Sequence, residues 1–149
     1  MKFLFPFSFI CFVCLTACGY SDEQLHQFDQ KIENFISKKK LVGMKKSETG
    51  LYMEVLTQGT GRTILLTDSI GVTYTGSLLS GQKFDEQKET IYLPLRGVIE
   101  GWKEALLGQK NGVKLRMIVP PQLGYGAGGK DKVPENAALY FELSVNDVK

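Results

Sequence analysis

The chain has 149 residues, 18 Lys and Arg against 16 Asp and Glu, and a formal net charge of +2, so it offers neither the basic face that nucleic acids require nor an acidic tail. Hydrophobic residues make up 43% and aromatic residues 11%, which suits one packed core and excludes a disordered chain. The one histidine, His26, and the three cysteines, Cys11, Cys14 and Cys18, all precede residue 27, which removes Ser-His-Asp, Cys-His and most zinc chemistry from the rest of the chain.

Residues 1–17 read as a signal peptide. Lys2 is a minimal positive start, and Phe3 to Val13 is an apolar run broken only by Pro6 and Ser8. A membrane-spanning helix needs ~20 apolar residues, so this run is too short to be one. Leu15-Thr16-Ala17-Cys18 resembles the lipobox of bacterial lipoproteins. That resemblance implies cleavage before Cys18, diacylation of its sulfur and anchorage of the mature chain at the cell envelope, on the periplasm-facing side of the outer membrane. Cys11 and Cys14 have CxxC spacing but would leave with the signal, so the mature chain would hold no free thiol and no disulfide.

Residues 18–46 read as a helical, lysine-rich linker. Ser21-x-x-Gln24 has capping-box spacing, and Leu25, Phe28, Ile32, Phe35 and Ile36 form a narrow apolar stripe over a helix from Ser21 to Ile36. Lys38-Lys39-Lys40 and Lys45-Lys46 read as a solvated connector. The stripe itself would dock on the domain, on a second copy or on lipid, and the sequence does not choose among them.

From residue 47 to 149 the pattern is that of one α+β domain. Strand-like segments run from Leu51 to Thr57, Ile70 to Leu79, Gln82 to Asp85 and Thr90 to Leu95, where Pro94 argues for an edge or a bulge. Val98, Ile99, Trp102, Ala105 and Leu106 then fall on one helical stripe, with Gly108 as the expected left-handed stop. Leu115, Met117 and Val119, and later Leu139, Phe141, Leu143 and Val145, alternate strictly. One-sided alternation predicts an antiparallel sheet with one wet face and one face buried against the single short helix.

Gly124-Tyr-Gly-Ala-Gly-Gly129-Lys130 satisfies both GxGxxG and GxxxxGK. A phosphate loop needs a helix directly behind the glycines. Here Asp131-Lys-Val-Pro134 follows, and an anion stands where phosphate would sit, so no nucleotide site is expected.

Val72-Thr-Tyr-Thr-Gly76, Gly81-Gln-Lys-Phe-Asp85, Val98-Ile-Glu-Gly-Trp102, Gly108-Gln109, Pro120-Pro-Gln-Leu-Gly-Tyr-Gly126, Val133-Pro-Glu-Asn-Ala137 and Leu139 to Leu143 occur in one order. In that order they resemble the FKBP-type peptidyl-prolyl isomerases, with the lead-in Lys46-Ser-Glu-Thr-Gly50 similar to bacterial envelope members. The resemblance implies a curved antiparallel sheet wrapped around one short helix. It also implies Trp102 as the floor of a proline pocket and Tyr74, Phe84, Val98, Ile99 and Phe141 as walls. The Ile99 N–H and the Tyr125 hydroxyl would meet substrate carbonyls, and Asp85 would be the polar group at the wall. Ile91 and Leu93 stand at wall positions that are typically aromatic in the family.

The implied activity needs no cofactor and no metal. Its substrates would be proline-containing polypeptides, acting here as clients exported to the envelope. The alternative is a membrane-anchored binding or chaperone module of the same fold with little turnover.

Overall fold

A computed structural model describes residues 19–149. The signal segment and Cys18 lie outside the described residues.

The first helix, α1, runs from Asp22 to Lys39. Its start carries the expected capping box: Gln24 N–H donates to Ser21 Oγ at 3.3 Å, and Ser21 N–H donates to Gln24 Oε1 at 3.0 Å. The helix continues three residues past Ile36 and stops at Lys40, whose left-handed backbone (φ 54°) caps it.

Six strands follow: β1 (Lys45–Lys46), β2 (Tyr52–Thr57), β3 (Ser69–Leu78), β4 (Lys83–Pro94), β5 (Lys114–Val119) and β6 (Leu139–Val148). They form one antiparallel sheet in the order β1-β2-β5-β6-β3-β4. The segments expected at Gln82–Asp85 and Thr90–Leu95 are the two ends of a single strand, β4. Val72 faces Ile91 while Tyr74 faces Gln87, so Lys88-Glu89-Thr90 bulges opposite Thr73. β4 is an edge strand and Pro94 is its last residue, where a missing N–H costs no central ladder bond.

The second helix, α2, is only Glu100–Leu106, seven residues. It starts two residues later than the apolar stripe implies, because Val98 (ψ 168°) and Ile99 (ψ 153°) are extended. Ile99 is the cap: its carbonyl accepts from Trp102 N–H and Lys103 N–H. Gly108, with φ 82°, makes the expected left-handed exit, and its N–H donates to Ile64 O at 3.0 Å. Trp102, Ala105 and Leu106 are buried against Leu115, Met117, Val119, Leu139, Phe141, Leu143 and Val145 from β5 and β6.

The other sheet face is not simply wet. Ile118 of β5 and Tyr52 of β2 are buried there with Ile32 and Phe35 of α1, and Tyr140 of β6 packs at the margin. α1 therefore docks on the domain, and the sheet lies between two helices. Its start is clamped as well: Tyr20 stacks edge-to-face on Phe28 at 5.0 Å and donates to Asn136 Oδ1 at 2.9 Å. Lys46 pairs with Asp29. The expectation of a wet second face fails at Ile118 and Tyr140, which alternate with the polar Arg116 and Glu142 and give α1 its seat.

Because Ile32 is wholly buried under α1, Ile32→Ala is expected to cost ~2–5 kcal/mol in denaturant unfolding. A solvated linker helix would leave the unfolding midpoint unchanged.

Candidate active site

Three strands, α2 with the turn before it and the loop after β5 enclose a cavity of about 210 Å³. β3 contributes Tyr74, β4 contributes Phe84, Asp85 and Leu93, and β6 contributes Phe141. Gly97, Val98 and Ile99 come from the turn before α2, Trp102 from α2 itself, and Tyr125 and Lys130 from the Gly-rich loop.

Trp102 is 4% exposed and forms the centre of an aromatic box. Tyr74 stands edge-to-face to it at 4.9 Å and 87°, Phe141 at 5.3 Å and 87°, and Phe84 meets Phe141 at 5.6 Å and 88°. Gly76 allows this closure: it lies between Asp85 and Phe141 across the strands, and a β-carbon there would meet the Phe141 and Phe84 rings at 2.8 Å. The Trp102 Nε1–H is buried and has no nitrogen or oxygen acceptor among the described residues.

The polar groups are few and fixed. Asp85 accepts from the Tyr74 hydroxyl at 2.6 Å and from the Glu86 N–H at 2.8 Å. Burial pushes the Tyr74 hydroxyl up, and the hydrogen bond and charge of Asp85 push it further. Burial likewise raises Tyr125, helped by the charges of Asp85 and Asp131. Both phenols therefore remain protonated donors through neutral and mildly alkaline pH. At the start of α2, the Ile99 N–H donates to no backbone carbonyl among the described residues, as first-turn amides do.

Eight of the nine expected pocket residues line this one cavity: Tyr74, Phe84, Asp85, Val98, Ile99, Trp102, Tyr125 and Phe141. Ile91 does not; it packs against the core beside the β4 bulge, while Leu93, also expected at a wall position, lines the cavity. Gly97 and Lys130 also line the cavity. Lys130 is placed by an antiparallel bridge to Val133, with its Nζ 5.6 Å from the Tyr125 ring centroid. Its position in the Gly-rich loop was the only hint of this; Gly97 gave no signal. That loop holds one 3-10 turn, Gly126–Gly128, and no helix behind it, which agrees with the rejection of a phosphate loop.

The sequence profile of the FKBP-type peptidyl-prolyl cis-trans isomerases matches residues 61–146. The chain belongs to this family. FkpA of Escherichia coli is 38% identical over 110 residues, covering 72% of this chain and 41% of that protein. The isomerase Mip of Coxiella burnetii is 38% identical over 111 residues, covering 72% and 48%. This FKBP-type chain thus spans about half the length of the curated relatives it matches. Its fold superposes on a peptidyl-prolyl cis-trans isomerase from Pseudomonas syringae with a TM-score of 0.74 at 28% identity, covering 89% of this chain and 98% of that one. Against the crystal structure of Escherichia coli FkpA the TM-score is 0.73 at 32% identity, covering 85% and 63%.

Proposed function

We propose that this chain is a peptidyl-prolyl cis-trans isomerase acting on exported polypeptides at the bacterial cell envelope, held to the outer membrane by a lipid on Cys18. The observation that carries the catalytic part is the ring-walled cavity over Trp102, in which the Tyr74 hydroxyl is fixed on Asp85 and Tyr125 and Lys130 stand at the wall. Turning an X–Pro bond means losing amide resonance, against a barrier of ~18–20 kcal/mol. The half-rotated amide has a pyramidal nitrogen and a less polar carbonyl than the planar ground state. A dry ring-lined pocket disfavours the planar form relative to the twisted one. The proline ring rests on the Trp102 indole, between Tyr74, Phe84 and Phe141. The Ile99 N–H and the Tyr125 hydroxyl hold the flanking carbonyls, and Asp85 fixes Tyr74 and the field at the wall. No bond is made to the protein and no proton need move.

The test is isomerisation of a Xaa-Pro tetrapeptide followed by line-shape or exchange NMR. A catalysed rate supports the proposal. A rate equal to that of the free peptide, with the peptide bound, would make the chain a binding module instead.

Anchoring is read from Cys18 and the lipobox that it closes. Among the described residues no helix is long and apolar enough to cross a membrane. Cys18→Ala is expected to abolish incorporation of a fatty-acid analogue and to move the chain out of the membrane fraction. Unchanged labelling in the mutant would refute the anchor.

A further inference from the structure

A second, larger concavity of about 810 Å³ lies on the other side of Tyr125. Its walls are the start of α1, through Tyr20 and Leu25, and the segment after β5, through Pro121, Tyr125 and Ala127. One wall of the groove is the start of α1, which lies before the matched family region, and contacts of Tyr20 and Gln122 fix its shape. Tyr20 is fixed to Asn136 and stacked on Phe28. Gln122, also in the groove, donates from Nε2 to Thr49 O at 3.2 Å, while its Oε1 accepts from nothing among the described residues.

Two features decide what it fits. In a chain with 23% charged residues, no Asp, Glu, Lys or Arg lines this groove, so it discriminates against charged segments. Tyr125 also lines the 210 Å³ proline cavity, so one side chain is a wall of both. The proline cavity is sized for one ring, and the groove has room for several residues beside it.

We infer that this groove holds an uncharged, apolar stretch of the client polypeptide flanking the proline, so that α1 converts a dipeptide-sized site into one that grips unfolded chains. The inference rests on the isomerase reading for the proline itself. The client's apolar side chains cover Leu25, Pro121 and Ala127. With its proline in the cavity, a tetrapeptide has at most two residues left on either side, ~7 Å of extended chain, whereas an unfolded protein can fill the groove.

The test uses the full-length chain and the double variant Leu25→Glu/Ala127→Glu. Ala127 is exposed and Leu25 half-buried, and neither belongs to either buried core cluster. Two substrates are compared: a Xaa-Pro tetrapeptide, and a reduced and carboxymethylated ribonuclease whose refolding is limited by a prolyl bond. The expected result is an unchanged kcat/KM on the tetrapeptide and a fall of about tenfold on the unfolded protein, through KM. Equal rates for variant and wild type on the protein would overturn the inference, and so would equal losses on both substrates. If the wild type turns over neither substrate, the isomerase reading fails on its own. The groove is then judged by fluorescence anisotropy of the labelled ribonuclease, where binding lost in the variant supports it and equal binding overturns it. A wild-type dimer in sedimentation velocity that the variant dissolves would assign the groove to a second copy and overturn the client assignment.

Discussion

Phe84→Ala and Asp85→Leu are expected to lower kcat/KM on a Xaa-Pro tetrapeptide several-fold or more, while shifting the unfolding midpoint much less than Trp102→Ala does. Phe84 is half-buried at the cavity wall and touches Phe141 edge-on, so truncation admits water beside the twisting amide without emptying the core. Asp85→Leu keeps bulk but strips the Tyr74 hydroxyl of its acceptor at 2.6 Å, leaving a partly buried donor unpaired and Tyr74 free to turn. Trp102 is both pocket floor and core, 4% exposed and packed edge-to-face with two rings, so Trp102→Ala is expected to cost ~3–5 kcal/mol of stability together with activity. Paired kinetics and denaturant melts separate the two kinds of loss. Wild-type rates in both wall mutants would remove Phe84 and Asp85 from the site.

Gly101→Ala is expected to destabilise the protein, by ~1–3 kcal/mol, although the same change in an exposed helix interior stabilises by ~1 kcal/mol. Gly101 is buried in α2, and a β-carbon there would stand 2.6 Å from Val119 Cγ1 and 2.8 Å from Val119 Cγ2. Val119 is β-branched and sits in a strand paired on both sides, so it cannot swing away. The helix must lift instead, carrying Trp102 off the pocket floor. The expected readouts are a lower unfolding midpoint and a lower kcat/KM in the same mutant. A more stable Gly101→Ala would mean that α2 lies farther from β5 than described.

Much of this arrangement is legible in the residues. The alternation in β5 and β6 named the buried face, and Trp102, Ala105 and Leu106 named the helix stripe that covers it. Eight pocket residues came from ordered motifs, because a pocket built on strands and a helix cap keeps its register with them. What escaped was set by geometry that short-range patterns do not encode. The β4 bulge absorbs Lys88-Glu89-Thr90, which turns two apparent strands into one; of the two expected wall residues beyond it, Leu93 lines the cavity and Ile91 does not. Ile99 carries a helical stripe position yet stays extended, because it caps α2 rather than entering it. The seat of α1 depended on Ile118 and Tyr140, single apolar residues on an otherwise polar face, whose meaning emerges only once Ile32 and Phe35 lie above them.

The clamp on Tyr20 has a consequence for where the domain can search. Tyr20 is pinned to Asn136 at 2.9 Å, and the sequence places it two residues after Cys18. Two residues of extended chain reach at most ~7 Å. With the lipid on Cys18 as proposed, the domain has almost no leash, and its Gly-rich loop is held next to the bilayer. Diffusion then becomes two-dimensional for any client at the same surface, and the effective concentration of enzyme there is set by membrane area rather than by the volume of the compartment.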